Sequence, residues 1–254
     1  MKRVNAFIQA RMGSSRLPGK VLKNLNGKPV ITHLVQRLRQ AKCFHKIVLL
    51  TSTNSENDEL CAIAQREGIL VYRGPEENVL KRFQLAAELF PCDYIMRLTG
   101  DSPFVEPSIC EQLYLELLSK NADYAYLSEH YAEGVDCEVF KTAILTPLDS
   151  LSLRPSELEH VTLHFYENNH GKYNVVEMQS NSDDSHYRFT LDTPEDWQVV
   201  KAISLAEKDS TRLTYAEIKL FLDSHPEVKK INSRIIRNEG LAISLHNEQQ
   251  IVSE

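Results

Sequence analysis

The 254-residue chain reads as an α/β protein, a mixed but mostly parallel sheet flanked by helices. Three observations predict this. Short apolar runs bounded by turn residues alternate with stretches whose apolar residues recur at helical spacing, the pattern of strands joined by crossover helices. The first run, Val4 to Ile8, opens directly into a loop rich in glycine, hydroxyl and cationic side chains, Ala10 to Lys20. A later run, Asp93 to Leu98, ends on Thr99-Gly100-Asp101, and in open α/β sheets ligands bind at the carboxyl ends of the strands.

Taken in order, Val4 to Ile8 is apolar enough for a buried strand. Asn26-Gly27 marks a turn, after which Val30, Leu34, Leu38 and Ala41 recur at helical spacing. A strand over Lys46 to Thr51, a helix near Asn57 to Arg66, a short strand over Ile69 to Tyr72 and a helix over Val79 to Leu89 lead to the strand over Asp93 to Leu98. Further on, Tyr187, Phe189 and Leu191 alternate as on a half-buried strand. Thr193-Pro194-Glu195-Asp196 is then a helix start, with Thr193 as N-cap, Pro194 first in the helix, and Glu195 and Asp196 as favourable first-turn acids. That helix carries Val199, Val200, Ile203 and Leu205, and another is expected from Tyr215 to Leu222, ending before Pro226. The polar segment from Lys229 to Glu254 suits packing on the body, crossing to a second subunit or staying loose. No Pro/Ser-rich linker, charge block or repeat divides the chain. Residues 1–254 are read as one domain, with the motifs in 1–208 and a C-terminal helix and tail in 209–254.

Composition excludes several partners. A formal net charge of −6 argues against nucleic acid, which needs a concentrated basic surface. No stretch is long enough to span a bilayer, and Met1-Lys2-Arg3 runs straight into a strand without a secretory signal's apolar segment, so a cytoplasmic location is expected. Cys43, Cys61, Cys92, Cys110 and Cys137 are odd in number and contain no C-x-x-C pair, which suggests neither a disulfide framework nor a zinc knuckle. They read mostly as small buried hydrophobes in a reducing compartment.

The loop from Ala10 to Lys20 packs three cations, two hydroxyls and two glycines into eleven residues. Glycines let backbone N–H groups approach an anion while Arg11, Arg16 and Lys20 neutralise its charge, so the loop reads as a phosphate cradle. A Gly-, Ser- and Arg-rich stretch after a strand also suits an ordinary solvated loop. The P-loop pattern fails: five residues separate Gly13 from Gly19, and Val21, not Ser or Thr, follows Lys20.

Ala10-Arg11, Ser14, Arg16 and Pro18-Gly19-Lys20 resemble the N-terminal signature of the cytidylyltransferases that activate acidic sugars, especially the KDO enzymes and the spore-coat polysaccharide SpsF-type proteins. Gln9 stands where the KDO enzymes usually carry Pro. Two further segments resemble the family's motifs in the family's order: Arg97-Leu98-Thr99-Gly100-Asp101-Ser102-Pro103, and Tyr187 to Trp197 with Leu191-Asp192-Thr193-Pro194-Glu195-Asp196. The resemblance implies that Asp101 and Asp192 are the two carboxylates of a catalytic Mg²⁺, an ion that takes one or two carboxylates with phosphate oxygens and water. Without it, an Asp before Ser-Pro is equally a turn or capping residue. Arg97 is left open between nucleotide and the water at the core's edge.

Tyr72 to Phe83 also resembles an SpsF-type segment, which makes Arg73 and Arg82 candidates for the nucleotide side, while Lys81 reads as exposed. Glu133 to Phe140 and Glu157 to Thr162 match the SpsF-type proteins more than the KDO enzymes, and the resemblance assigns Asp136, Glu138 and His160 to the acceptor sugar. Leu158 replaces the usual Arg. His160 and His164 have the i, i+4 spacing of metal ligands, but no Glu follows His160 as a zincin requires, so they read as a partly buried helix face.

From about Val4 to Trp197 the resemblance therefore implies a nucleotide-diphospho-sugar transferase fold, GT-A or Rossmann-like, and a homodimeric enzyme. Its reaction would join CTP and an acidic or amino-sugar derivative into a CMP-sugar with release of pyrophosphate. Arg11, Lys20, Asp101 and Asp192 would be catalytic, and Ala10, Arg11, Gly13, Ser14, Arg16, Lys20, Arg73 and Arg82 would bind nucleotide. Two other classes share the fold or the cradle: a glycosyltransferase consuming a sugar nucleotide, and a non-catalytic nucleotide-binding module. A cation-rich loop fits a triphosphate better than the first, and two acidic strand ends are superfluous for the second.

Overall fold

The computed structural model describes residues 2–252, with side chains as far as Gln249; Met1, Ser253 and Glu254, at the ends of the predicted domain and tail, lie outside the described residues. Strand β1 (Val4–Gln9) is followed by the Ala10–Lys20 loop and a small hairpin, β2 (Asn24–Leu25) and β3 (Lys28–Pro29), turned by Asn26 and Gly27 at positive φ. Helix α1 (Val30–Leu38), β4 (Phe44–Ser52), α2 (Asp58–Arg66), β5 (Leu70–Gly74), α3 (Val79–Leu89) and β6 (Tyr94–Thr99) complete the predicted alternation. Helix α4 (Pro107–Ser119) and strands β7 (Tyr124–Leu127) and β8 (Glu138–Lys141) come next. Two short helices, α5 (Pro155–Glu159) and α6 (Leu163–Glu167), precede β9 (Val175–Met178). Helices α7 (Pro194–Leu205), α8 (Tyr215–Ser224), α9 (Pro226–Lys230) and α10 (Glu239–Val252) follow.

Seven strands form one sheet in the order β5-β4-β1-β6-β8-β7-β9. β5, β4, β1 and β6 run parallel; β8 is antiparallel to β6 and β7, and β9 is parallel to β7. β1 lies inside the sheet, between β4 and β6, where Val4, Ala6, Phe7 and Ile8 are fully buried, as a run apolar on both faces requires. One face of the sheet packs a core that includes Ile8, Leu34, Leu98, Leu113 and Val200, and the other packs Phe7, Leu50, Phe83, Phe140 and Phe165. The chain leaves β1 toward β4 on one side and returns from β5 through α3 to β6 on the other. The connections therefore part between β1 and β6, and the crevice at their carboxyl ends is where such sheets place ligands.

Sequence and structure differ in two elements. Tyr187 to Leu191 is an extended segment with one isolated bridge, Glu133 to Arg188, instead of a sheet strand. Arg188 and Thr190 are buried along with Tyr187, Phe189 and Leu191. The segment is enclosed on both sides because its backbone bonds to Glu133 in one place and to Asp101 in another. His160 and His164 also do not share a helix. His160 ends α5, Val161 takes a φ of 45°, and His164 lies in α6. All five cysteines are free, with Cys61, Cys110 and Cys137 buried, and among the described residues no helix is long and apolar enough to cross a membrane.

Two polar side chains of the buried helix α1 hold the loop after β6. Nδ1–H of His33 donates to the Pro103 carbonyl (2.9 Å), so in the neutral ring Nε2 accepts from Ser210 Oγ (3.0 Å). Arg37 donates to the carbonyls of Val105 (2.8 Å), Thr211 (3.1 Å) and Leu213 (2.6 Å) and faces Glu106. Burial lowers the His33 pKa to about 4, against the opposing pull of the Pro103 hydrogen bond. A histidine depressed in the folded state contributes stability that is fully present above the unfolded pKa near 6.5 and is lost as pH falls toward 4, up to about 3 kcal/mol here. Urea unfolding between pH 7.5 and 4.5 should show this loss in the wild type and a shallower one in His33→Asn; parallel curves would remove His33 as the cause.

Candidate active site

Three chain segments converge at the crevice. In the first loop the Met12 carbonyl accepts from Ser14 N (2.9 Å) and Gly19 N (3.1 Å), while Met12 N donates to Asn57 Oδ1 (2.9 Å). Gly19, at φ +66°, then turns the chain so that Lys20 opens a short 3₁₀ turn, Lys20–Leu22. At the end of β6, Gly100 N donates to the Gln9 carbonyl (2.9 Å), and a Cβ at Gly100 would lie 2.6 Å from that of Ala10. Only glycine lets the two strand ends approach this closely. The third segment closes on the second, with Leu191 N donating to the Asp101 carbonyl (2.8 Å). Asp192 therefore emerges beside Asp101, although 91 positions separate them in the chain.

Lys20 Nζ lies 2.7 Å from Asp101 Oδ2 and 2.8 Å from Asp192 Oδ1. Burial opposes the charge on Lys20, but the charges and hydrogen bonds of Asp101 and Asp192 outweigh it and hold the ammonium pKa above its ordinary value. Burial likewise pushes the Asp101 carboxyl up, while Lys20 and a hydrogen bond from Thr99 bring it below the usual carboxylate range. Two carboxylates facing one point define a place for a single cation. That donor set fits Mg²⁺, which completes its octahedron with phosphate oxygens and water. Among the described residues no group of three or more His, Cys, Asp or Glu side chains is placed to hold a metal alone.

Residues 6–230 match the family model described as Cytidylyltransferase. The chain belongs to this family. The chain is 34% identical over 228 residues to the spore coat polysaccharide biosynthesis protein SpsF of Bacillus subtilis strain 168, spanning 87% of this chain and 94% of the relative. Its structure is similar to that of a cytidylyltransferase from Leptospira borgpetersenii serovar Hardjo-bovis, with a TM-score of 0.84, 30% identity, and 91% and 98% of the two chains covered. The CMP:2-keto-3-deoxy-manno-octonic acid synthetase solved with CTP shares the fold at a TM-score of 0.62 and 19% identity, over 80% of this chain and 99% of that one.

The other predicted residues of this cytidylyltransferase fall into three groups. Arg16 joins the central cluster, 3.6 Å from Asp192 Oδ1 and bonded to Glu239, while Ala10 is buried against Gly100 and Ser14 Oγ accepts from Leu17 N (3.4 Å). Arg11 pairs with Glu76 (2.6 Å), and Gly13 faces Glu56. Arg82 is spent on backbone, and Arg73 on backbone and on Asp58 (2.6 Å). Arg73 donates to the carbonyls of Ser52, Thr53 and Asn54, and Arg82 to those of Pro75 and Glu76. They thereby fix the loops after β4 and β5, including the one that presents Glu76 to Arg11. On the β8 side, Glu138 accepts from Arg97 (2.6 Å), Tyr124 and Thr162, which shows Arg97 facing a cross-strand carboxylate. Asp136 pairs with Arg237 (3.1 Å), and His160 Nε2 is 3.0 Å from Ser244 Oγ.

One group escaped the sequence reading. Asp196 is more than a first-turn acid. It is fully buried, and it grips the Arg188 guanidinium with both oxygens, 2.8 Å to Nε and 2.9 Å to Nη2. Its Oδ2 also accepts from Asp192 N and Thr193 N (3.0 Å each), and Oδ1 accepts from Asn232 (2.8 Å). Arg188 in turn pairs with Glu133 and lies 3.6 Å from Asp192. Burial disfavours the Asp196 carboxylate, yet Arg188 and these hydrogen bonds lower its pKa. Asp196 thus positions the backbone that carries Asp192. Because Asp196→Ala leaves Arg188 buried with half its partners, unfolding stability should drop by about 3–5 kcal/mol, the usual cost of breaking such a pair. Chemical denaturation checks this, and a loss under about 1 kcal/mol would make the pair dispensable.

Proposed function

We propose that this cytidylyltransferase joins CTP to a hydroxyl of an acidic or amino-sugar derivative, giving a CMP-sugar and pyrophosphate for surface polysaccharide synthesis. The observation that carries the reading is the single Lys20 ammonium shared by Asp101 and Asp192 at the crevice between β1 and β6. The similarity to SpsF and the fold shared with a CMP-sugar synthetase solved with CTP support it. In this reading the enzyme is a cytoplasmic homodimer of single-domain subunits.

The sugar oxygen forms a bond to the α-phosphorus, the bond from that phosphorus to the bridging oxygen breaks, and pyrophosphate departs in line while the hydroxyl proton is released. Arg11, Arg16 and Lys20 neutralise the triphosphate and the charge that grows on departing pyrophosphate, with the glycine-bearing loop supplying backbone N–H donors. Asp101 and Asp192 would hold Mg²⁺, which as a Lewis acid offsets charge on phosphate and sugar oxygens. Asp136, Glu138 and His160 face the acceptor, and their existing partners Arg237, Arg97 and Ser244 orient them for it. Electrostatics and positioning supply most of the rate.

A pyrophosphate-release screen of CTP, UTP, ATP and GTP against a panel of sugar acids and amino sugars should respond to CTP with one acceptor class. No release with any pair would reject the reading. With the acceptor in hand, Asp101→Ala and Asp192→Ala should each nearly abolish turnover, and substantial activity in the Asp192 variant would take that residue out of the site. Lys20→Ala should weaken CTP binding by about 1–3 kcal/mol, the scale of a charge-assisted contact, as read by calorimetry; unchanged affinity would reject its phosphate role.

A further inference from the structure

The family match ends at residue 230, yet the segment beyond it reaches back to three predicted site residues. Asn232, buried and bonded to Asp196 and the Arg188 carbonyl, is its last enclosed residue. Arg237 then anchors the chain on the Tyr131 carbonyl (2.6 Å) and on Asp136, and Asn238 takes a φ of 55°. From that bend α10 runs across the acceptor side. Its first residue, Glu239, pairs with Arg16 of the cradle. Ser244 bonds His160 and Glu159, and Glu248 bonds the N–H (3.3 Å) and Oγ (2.9 Å) of Ser156.

Two properties set α10 apart from the helices that build the cores. None of residues 239–249 is buried, and the named contacts that fasten them to the body are polar. An element that buries no residue of its own opens more readily than the core helices, because little apolar surface returns to water when it leaves. The Glu239 carboxylate takes Nη1 of the same guanidinium that a phosphate would use, so the two anions compete for Arg16.

We infer that α10 is a latch on the substrate cleft: Glu239 occupies the phosphate position at Arg16, and binding of a polyphosphate displaces it and swings α10 off the acceptor side about Arg237 and Asn238. The inference deepens the nucleotidyl-transfer reading but needs from it only that Arg16 meets phosphate. Closure lowers apparent affinity by the fraction of molecules that are open. Any change that weakens the latch must therefore tighten ligand binding.

The test is calorimetry together with hydrogen–deuterium exchange on the full chain, with CTP and inorganic tripolyphosphate as separate probes. CTP should speed exchange of the amides in 239–249 about tenfold. Glu239→Gln should bind CTP about three- to tenfold more tightly and show fast exchange before ligand is added. The double variant Ser244→Ala/Glu248→Gln leaves Arg16 untouched and loosens only the far end of α10, so it should also tighten binding, which separates latch release from a local charge effect. CTP leaving the exchange of 239–249 unchanged or slower, or neither variant binding more tightly, would make α10 a fixed wall. Release by tripolyphosphate in a protein that never yields pyrophosphate from CTP would keep the latch and overturn the nucleotidyl-transfer reading.

Discussion

Two carboxylates cannot both stay ionised against one another without a cation between them. At a separation of about 4 Å, like charges near a protein surface repel by several kcal/mol, and the ordinary response is for one to protonate. Lys20 removes that option by bonding both Asp101 and Asp192, which keeps Asp101 ionised despite its burial. Much of the surrounding structure serves this arrangement. Gly100 admits β1 and β6 to close contact, the Leu191 amide ties the third segment to the second, and Gly19 aims Lys20 at the meeting point. The arrangement is assembled from residues 20, 101 and 192, so it exists only after the long-range topology has formed.

Behind this triad lies a second layer of charge that is closed to solvent. Arg188 is shared by Glu133 and Asp196, and Asp196 holds the amides of Asp192 and Thr193. A buried pair of this kind gains little net stability over apolar packing but is expensive to break singly. Its use here is geometric. The N-terminus of α7 is fixed by the Thr193–Asp196 capping box, and the same carboxylate fixes the residue just before the cap. A helix start thus sets the direction in which Asp192 points. On the far side α1 does the corresponding work for Asp101, through His33 on Pro103 and Arg37 on Val105.

The strands and helices up to β6 were legible because their apolar periodicity reports burial directly: α3 spans the expected Val79–Leu89, and β6 carries Asp101 just beyond its end as anticipated. The basic loop, the Gly-Asp turn and the Asp192 segment were legible as motifs; the strand order brings the first two together, and the Leu191–Asp101 backbone bond adds the third. What the sequence concealed depends on pairings between distant residues. The alternation of Tyr187, Phe189 and Leu191 suggested a sheet strand because nothing local shows that Arg188 is also enclosed, its charge met by Glu133 some 55 positions away. The spacing of His160 and His164 suggested one helix because the positive φ at Val161 has no signature in a β-branched residue. Asp196 looked like a first-turn acid since the capping pattern fully explains its presence. Arg73 and Arg82 are candidates for the nucleotide side by resemblance, and the backbone carbonyls that both bond, with Asp58 beside Arg73, are pairings that the sequence does not announce.

Each cation of the cradle already has a carboxylate partner: Arg11 has Glu76, Lys20 has Asp101 and Asp192, and Arg16 has Glu239 with Asp192 nearby. An anion entering there would exchange partners instead of meeting bare charge, and its affinity would be a difference between two sets of contacts. The partners differ in how freely they can leave. Asp101 follows the end of β6, Asp192 is held by the buried Asp196 at the start of α7, and Glu76 sits on a loop pinned by the buried Arg82. Glu239 alone among these partners belongs to a helix with no buried residue as far as 249. Partner exchange at the cradle is thus cheapest at Arg16, and the cost there is set by how firmly α10 holds to α5 through Ser156, His160 and Glu159.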